Sequence, residues 1–225
     1  MINLTKEDYE IFESIEKIRE EIKKKYIPIK VIDYGAGNPE NERSAHTMYK
    51  GVEKITNTFE QCSIGLKEKW AEIIYSLVKE NMPKKVLELG TCCGFSSIYM
   101  AKGCSSSLIY TIEGDKNVAK IASKNIKAAS CSNIKQFVGR FQDILDDVLN
   151  EIKEIDMAFI DGHHDKKATL NYFEKIKPFL SEKSIVIFDD ISWSKGMIEA
   201  WEIIKNDSMV KEYKDLKKLG ICYFY

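Results

Sequence analysis

The sequence lacks any uninterrupted apolar run of the roughly 18 residues that a membrane span needs. Its opening, MINLTKEDYE, is charged from the sixth residue, which does not suit a secretory signal. The 6 cysteines (Cys62, Cys92, Cys93, Cys104, Cys131 and Cys222) include no Cys-x-x-Cys and no ligand-like spacing. No thiolate metal site is expected from them, and reduced thiols in the cytoplasm are. A dominant charge is lacking too: 34 Lys and Arg against 35 Asp and Glu leave a formal net charge of -1. That gives no general pull toward nucleic acid or an anionic membrane. No internal repeat and no low-complexity linker divides the chain.

What is present is ordinary in amount and regular in arrangement. At 225 residues, 44% apolar and 31% charged, the chain suits one α/β domain with an appendage. It can bury roughly 70% of its unfolded surface, enough to fold without disulfides or structural metal. From residue 66 onward, segments of helical period (LKEKWAEIIYSLVKEN, SSIYMAKG, KNVAKIASKNIKAA, FQDILDDVLNEI, KKATLNYFEKIKPFL, KGMIEAWEIIKN) alternate with short apolar runs (VLEL, LIYTI, IKQFV, DMAFI, SIVIF). Apolar runs without polar alternation, separated by helices, predict parallel strands buried on both faces. The end breaks this rhythm: MVKEYKDL and ICYFY flank a tight connection and predict a terminal antiparallel hairpin. Upstream, LTKEDYEIFESIEKIREEIKKKY predicts a long helix with Thr5 as N-cap, followed by the alternating IPIKVIDYG.

Two segments look like glycine turns that hold a nucleotide-type cofactor, VIDYGAG (31–37) and VLELGTCCG (86–94). Such a turn needs a helix after it and then a second strand, ending about 20 residues on in an acid that binds ribose hydroxyls. Glu113 follows Gly90 by 23 residues and ends the apolar run LIYTI. The segment after VIDYG holds helix-compatible residues but no buried-type strand. The second turn is therefore the expected cofactor loop, and Asp33 in the first contributes little. The loop reads Gly90-x-x-x-Gly94, with Cys92 where a pyrophosphate would require glycine. A ligand without phosphate, such as S-adenosylmethionine, fits that spacing.

LELGTCCGFSSIYMA, YTIEGD, VGRFQDIL, DMAFIDGHH and VIFDD, in that order, resemble the class I S-adenosylmethionine-dependent methyltransferases. The likeness is to the catechol and caffeoyl-coenzyme A O-methyltransferase branch and covers roughly residues 60–225. It implies that Glu88, Gly90, Cys92 and Ser96 belong to the first cofactor loop. Glu113 matches the ribose-binding acid, Gln142 a residue beside the adenine, and Ile64-Gly65 a short stretch that touches cofactor. Asp161 matches an acid ending the fourth strand, and Asp189-Asp190 an Asp-Asn pair ending the fifth. In metal-dependent members these three positions hold a divalent ion, usually magnesium. Two departures stand out: Asp190 replaces the asparagine, and His164 stands where those members carry a lysine base.

Each candidate has a plainer reading. Asp189 or Asp190 could cap the next helix instead of binding Mg2+ or Mn2+. His164 is either the general base or a loop histidine, with nearby carboxylates expected to raise its pKa. His163 is a second candidate for acceptor contact. Cys92 and Cys93 read as packing or passive contact, since the donor is already electrophilic. Trp201 reads as a packing residue, whereas Trp193 could wall the acceptor site. The lysines of the first helix read as a solvated face.

The expected fold is α/β: a doubly wound, Rossmann-like, seven-stranded and mostly parallel sheet with a terminal antiparallel hairpin. Residues 1–65 form an N-terminal helical cap on the substrate side, and 66–225 the cofactor-binding domain. The expected activity is cytoplasmic O-methylation of a small hydroxylated acceptor, with Asp161 and His164 as catalytic residues. The alternatives are methylation of tRNA or another macromolecule, and a cofactor-binding module without activity. A homodimer is compatible with the pattern.

Overall fold

The computed structural model describes residues 3–224; Met1 and Ile2 of the expected cap and Tyr225 of the expected last strand lie outside them. Helix α1 (Lys6–Lys23) starts in a capping box. The Asp8 amide donates to Thr5 Oγ1, and the Thr5 amide donates to Asp8 Oδ2 at 2.8 Å. After α1 come β1 (Pro28–Asp33), the two-residue strands β2 (Gly37–Asn38) and β3 (Asn41–Glu42), α2 (Ala45–Lys50), β4 (Val52–Asn57) and α3 (Thr58–Ser63). β1 and β4 pair antiparallel from Pro28–Asn57 to Asp33–Val52, as a ribbon separate from the main sheet. β4 is the longest strand the sequence reading leaves out, alongside the two-residue β2 and β3. Glu53, Lys54 and Ile55 are exposed, so it carries no buried run, and its partner's edge makes it a strand.

The rest alternates as expected: α4 (Glu68–Asn81), β5 (Lys85–Leu89), α5 (Phe95–Gly103), β6 (Leu108–Glu113), α6 (Lys116–Ala128), β7 (Ile134–Val138), α7 (Phe141–Ile152), β8 (Ile155–Ile160), α8 (Lys166–Ile176), β9 (Leu180–Phe188), α9 (Lys195–Lys205), β10 (Glu212–Asp215) and β11 (Gly220–Tyr223). The sheet order is β10-β11-β9-β8-β5-β6-β7. β5 to β9 are mutually parallel, and the closing hairpin joins antiparallel through β11. Successive strand residues enter different cores. Val86, Ile109, Phe159 and Ile187 pack with α1, α4, α5 and α6. Leu87, Tyr110, Ile160 and Phe188 pack with α7, α8 and α9. This two-faced burial is why the strands read as unbroken apolar runs.

The order β8-β5-β6 also fixes where a ligand can sit. Chains leave β5 and β6 toward one face and β8 toward the other, opening a crevice at their carboxyl ends. α1 is anchored across the amino-terminal part of the molecule by buried polar contacts. Asp8, only 2% exposed, accepts from Tyr75 Oη at 2.5 Å and from Lys79 Nζ at 2.6 and 2.8 Å. Arg19 donates to the carbonyls of Cys62 (3.2 Å) and Leu66 (2.8 Å), holding the loop that carries Ile64 and Gly65.

Burial opposes ionisation of Asp8, but Lys79, the Thr5 amide and Tyr75 outweigh it and hold the carboxyl below its ordinary range. A depressed carboxyl pKa stabilises the fold above the unfolded value, and that stability is lost as pH falls. Asp8→Ala should therefore lose about 2–3 kcal/mol at neutral pH, the worth of hydrogen bonds to a buried charge. Urea unfolding should show the gap from wild type closing as pH falls below the ordinary carboxylate range. A gap that stays constant with pH would remove the ionised Asp8 from this account.

Candidate functional site

Gly90 closes β5 with φ +110°, and a Cβ built on it would lie 1.9 Å from the Asp161 carbonyl oxygen. Only glycine allows the end of β5 to pass this close to the end of β8. Gly94 (φ +85°) starts α5, where a Cβ would press on Ala122 of α6 at 3.2 Å. Between them the loop turns over Glu113. Its Oε2 accepts the Cys92 amide at 2.8 Å and its Oε1 the Asp115 amide at 2.8 Å. Burial pushes the Glu113 pKa up to about 7, although these amides favour the charged form. Gly90, Cys92 and Glu113 line one cleft together with Ile64, Gly114, Arg140, Phe141 and Asp161.

The cleft has a lid from an unexpected source. Val31 to Gly35, the turn set aside in the sequence, line the same cleft. Asp115 is the joint: its Oδ1 caps α6 through the Asn117 and Val118 amides, and its Oδ2 accepts the Ile32 amide at 2.9 Å. Ala36 donates to the His163 carbonyl at 2.8 Å, and Arg140 donates to the Tyr49 carbonyl at 3.0 Å. Residues 32–49 thus cover the loops after β6, β7 and β8. Residues 31–35 close the Glu113 end of the cleft, and the Ala36–His163 bond carries the segment on to the loop after β8. The Asp33 carboxylate itself is engaged by the Gly35 amide, Lys54 and Arg43.

At the other end, β8 and β9 deliver Asp161, Asp189 and Asp190. Asp161 is pushed well above the usual carboxylate range by burial and then by Asp189 and Asp190. His164 Nε2 lies 3.5 Å from Asp161 Oδ1 and 3.9 Å from Asp190 Oδ2, and the Trp193 ring centroid is 6.0 Å from that of His164. Asp190 and Asp189 act on the His164 pKa in the expected upward direction, but burial outweighs them and the net shift is downward. His164 has φ +50° and His163 φ +63°, so the turn after β8 is strained at two non-glycine residues. Lys218, from the β10–β11 turn, places Nζ 2.9 and 3.1 Å from the two Asp189 oxygens and 2.5 Å from Asp190 Oδ1. Burial works against its charge, but the two carboxylates outweigh burial and raise its pKa.

A family model described as a methyltransferase domain matches residues 87–191. A catechol O-methyltransferase from Niastella koreensis is 32% identical over 111 residues, which are 48% of this chain and 49% of that protein. A caffeoyl-CoA O-methyltransferase from Stellaria longipes is 25% identical over 176 residues, 76% of this chain and 72% of that protein. Over the matched stretch the chain is similar to S-adenosylmethionine-dependent O-methyltransferases of the catechol and caffeoyl-CoA type. Its match spans about half the length of the Niastella koreensis relative and 62% of a Bos taurus catechol O-methyltransferase. The fold is shared with the O-methyltransferase from Bacillus cereus in complex with SAH, at a TM-score of 0.62 and 23% identity, covering 72% of this chain and 83% of that one. It is also shared with an SAH-bound methyltransferase from Podospora anserina, at a TM-score of 0.64 and 14% identity, covering 100% and 99%.

Within this family frame, the residues carried over by resemblance divide in two. Ile64, Gly90, Cys92, Glu113 and Asp161 line the cleft; Gly65, Glu88, Gly94, Ser96 and Gln142 do not. Glu88 is fully buried behind the loop, accepting from Ser97 Oγ and from Thr111 Oγ1 (2.5 Å). Gln142 turns its amide to His163 Nε2 at 3.1 Å, while His163 Nδ1 meets Tyr172 Oη at 3.0 Å. His163 is thereby a satisfied core histidine whose pKa burial lowers to about 4. Tyr34, Gly114, Arg140 and Lys218 were missed; each acts through a contact distant in sequence.

The metal site implied by the resemblance does not fit the donors as they stand. Lys218 already engages both carboxylates of the Asp189–Asp190 pair, and no group of three or more His, Cys, Asp or Glu suited to an ion occurs among the described residues.

Glu113 gives the site a pH signature. Ribose hydroxyls donate to the carboxylate better than to the carboxylic acid, so donor affinity should rise as pH climbs through about 7. Calorimetric titration with S-adenosylmethionine should show binding about tenfold weaker at pH 6 than at pH 8. Glu113→Gln should bind more weakly and lose this dependence. Equal wild-type affinity at both pH values would sink the assignment.

Proposed function

We propose that the chain transfers a methyl group from S-adenosylmethionine to the hydroxyl oxygen of a small acceptor. The observation that carries this reading is that Asp161 belongs to both ends of the site. It lines the cleft with Gly90, Cys92 and Glu113, and its Oδ1 lies 3.5 Å from His164 Nε2. The donor would be held by Glu113 at the ribose and by the Gly90–Gly94 loop. Glu88, fully buried behind the loop, would brace it through Ser97 and Thr111 and not touch the donor. When bound, the donor supplies a methyl group on a positively charged sulfur, an electrophile that needs no covalent enzyme intermediate. Cys92 and Cys93 are thus left as contact and core residues.

The acceptor's proton goes to His164. Its lowered pKa leaves the imidazole neutral near pH 7, with one ring nitrogen free to accept. As the acceptor oxygen bonds to the methyl carbon, the carbon–sulfur bond would break with its electron pair left on a neutral thioether, and the acceptor's proton passes to that nitrogen. Asp161 and Asp190, at 3.5 and 3.9 Å, then face an imidazolium and stabilise it. Trp193 beside His164 offers a flat apolar wall suited to an aromatic hydroxyl compound. Six free cysteines accord with a cytoplasmic setting.

Incubation with methyl-labelled donor and cell extract, separated into small-molecule and RNA fractions, tests the reading. Label should enter hydroxylated small molecules; label confined to RNA would overturn it. With an acceptor in hand, His164→Gln should lower kcat by roughly 10²–10⁴-fold, leaving donor affinity unchanged. A variant with wild-type kcat would remove the base role.

A further inference from the structure

The β10–β11 turn does more than close the sheet. Leu216 donates to the Leu219 carbonyl at 2.9 Å, Lys218 donates to Leu216 at 2.9 Å, and the Ile191 amide donates to the Lys218 carbonyl at 3.1 Å. This last bond ties the turn to the residue after Asp190. At the adjoining joint the Trp201 indole covers Gly220, where a Cβ would lie 2.6 Å from the ring, and donates to Asp215 at 2.8 Å. The Lys218 ammonium is therefore delivered from a fixed backbone, and its Nζ has three carboxylate oxygens within 3.1 Å.

A magnesium ion demands oxygens at about 2.0–2.1 Å in near-octahedral geometry. An ion meeting that distance from both Asp189 and Asp190 would fall in the space Lys218 Nζ holds, since Nζ sits 2.5–3.1 Å from the same oxygens. An ammonium and a divalent cation repel strongly at contact in a partly buried site. Asp189 is committed further, because its Oδ1 also accepts the Asp190 amide at 2.8 Å. Asp190 in turn is held on one oxygen by Lys218 while its other oxygen faces His164 at 3.9 Å.

We infer that Lys218 is the resident cation of the reactive end, occupying the place between Asp189 and Asp190 that a divalent ion would need and orienting Asp190 toward His164. Exclusion of the ion stands on its own. The consequence for turnover, that it proceeds without added metal and that Lys218 is a positioning residue for His164, rests on the methyl-transfer reading.

Titration of the full chain with Mn2+, followed by electron paramagnetic resonance, separates the two. Wild type should leave millimolar Mn2+ free, as should Lys218→Arg. Lys218→Met, which uncovers the carboxylates, should bind Mn2+ at least tenfold more tightly than wild type. Equal binding by wild type and Lys218→Met would overturn the inference, and so would no binding by either. Should Lys218→Met fail to fold by circular dichroism, wild type alone decides: a bound, specific Mn2+ overturns the inference, and free Mn2+ with turnover undiminished in excess chelator supports it. Loss of S-adenosylmethionine binding by wild type in calorimetry would fault the methyl-transfer reading and leave the Mn2+ result to judge Lys218.

Discussion

Three strand ends meet at Gly90, and the close approach they make there sets where the side chains of the cleft can sit. The Gly90 and Thr91 amides both donate to the Ile112 carbonyl, and the Asp161 amide donates to the Leu89 carbonyl at 2.9 Å. A side chain at Gly90 would collide with the Asp161 backbone. Because β5 lies between β6 and β8, this one crossing brings Glu113, which follows Ile112, into the same cleft as Asp161. Neither residue could be moved independently of that contact. The crevice is a consequence of strand order, and glycine lets it be narrow.

The same convergence creates an electrostatic difficulty. Asp161, Asp189 and Asp190 arrive together, and burial with mutual repulsion raises the first two above the usual carboxylate range. Ionised neighbours in a poorly solvated site need compensation, and a fold can supply it with a bound ion or a side chain. Here the hairpin supplies a lysine, and His164 stays uncharged because burial outweighs its attraction to the acids. A neutral ring close to anions is poised to accept a proton, since the charge it would gain is welcomed by groups already in place.

How much of this could be read from sequence depends on whether each contact is local. The buried strands VLEL, LIYTI and DMAFI show themselves because both their faces are apolar, and the capping box at Thr5 and Asp8 spans three residues. Glu113 was legible from its spacing after Gly90. β4 was not, since a strand exposed at Glu53, Lys54 and Ile55 differs from a loop only through its pairing with β1. Gln142 and His163 are held to each other and to Tyr172 from α8, a set of contacts no spacing shows, and of the two only His163 lines the cleft. Lys218 sits in an unremarkable Lys-Lys-Leu-Gly turn, and its role arises from a partner pair about thirty residues earlier.

The first glycine turn teaches the opposite lesson. VIDYG has the composition of a cofactor loop but lacks the following strand, and its acid is spent on Gly35, Lys54 and Arg43 rather than on a ribose. Yet its backbone lies over the cleft, and a Cβ on Gly114 would strike the Tyr34 ring at 2.7 Å, so the residue after Glu113 must be small for the lid to seat. Asp115 completes the coupling by capping α6 with one oxygen and holding Ile32 with the other. The lid, the helix that follows β6 and the backbone amide that steadies Glu113 are thus parts of one hydrogen-bonded unit. Access to the cleft and the placement of Glu113 are controlled through the same few residues, so displacing the ribbon would disturb the carboxylate it covers.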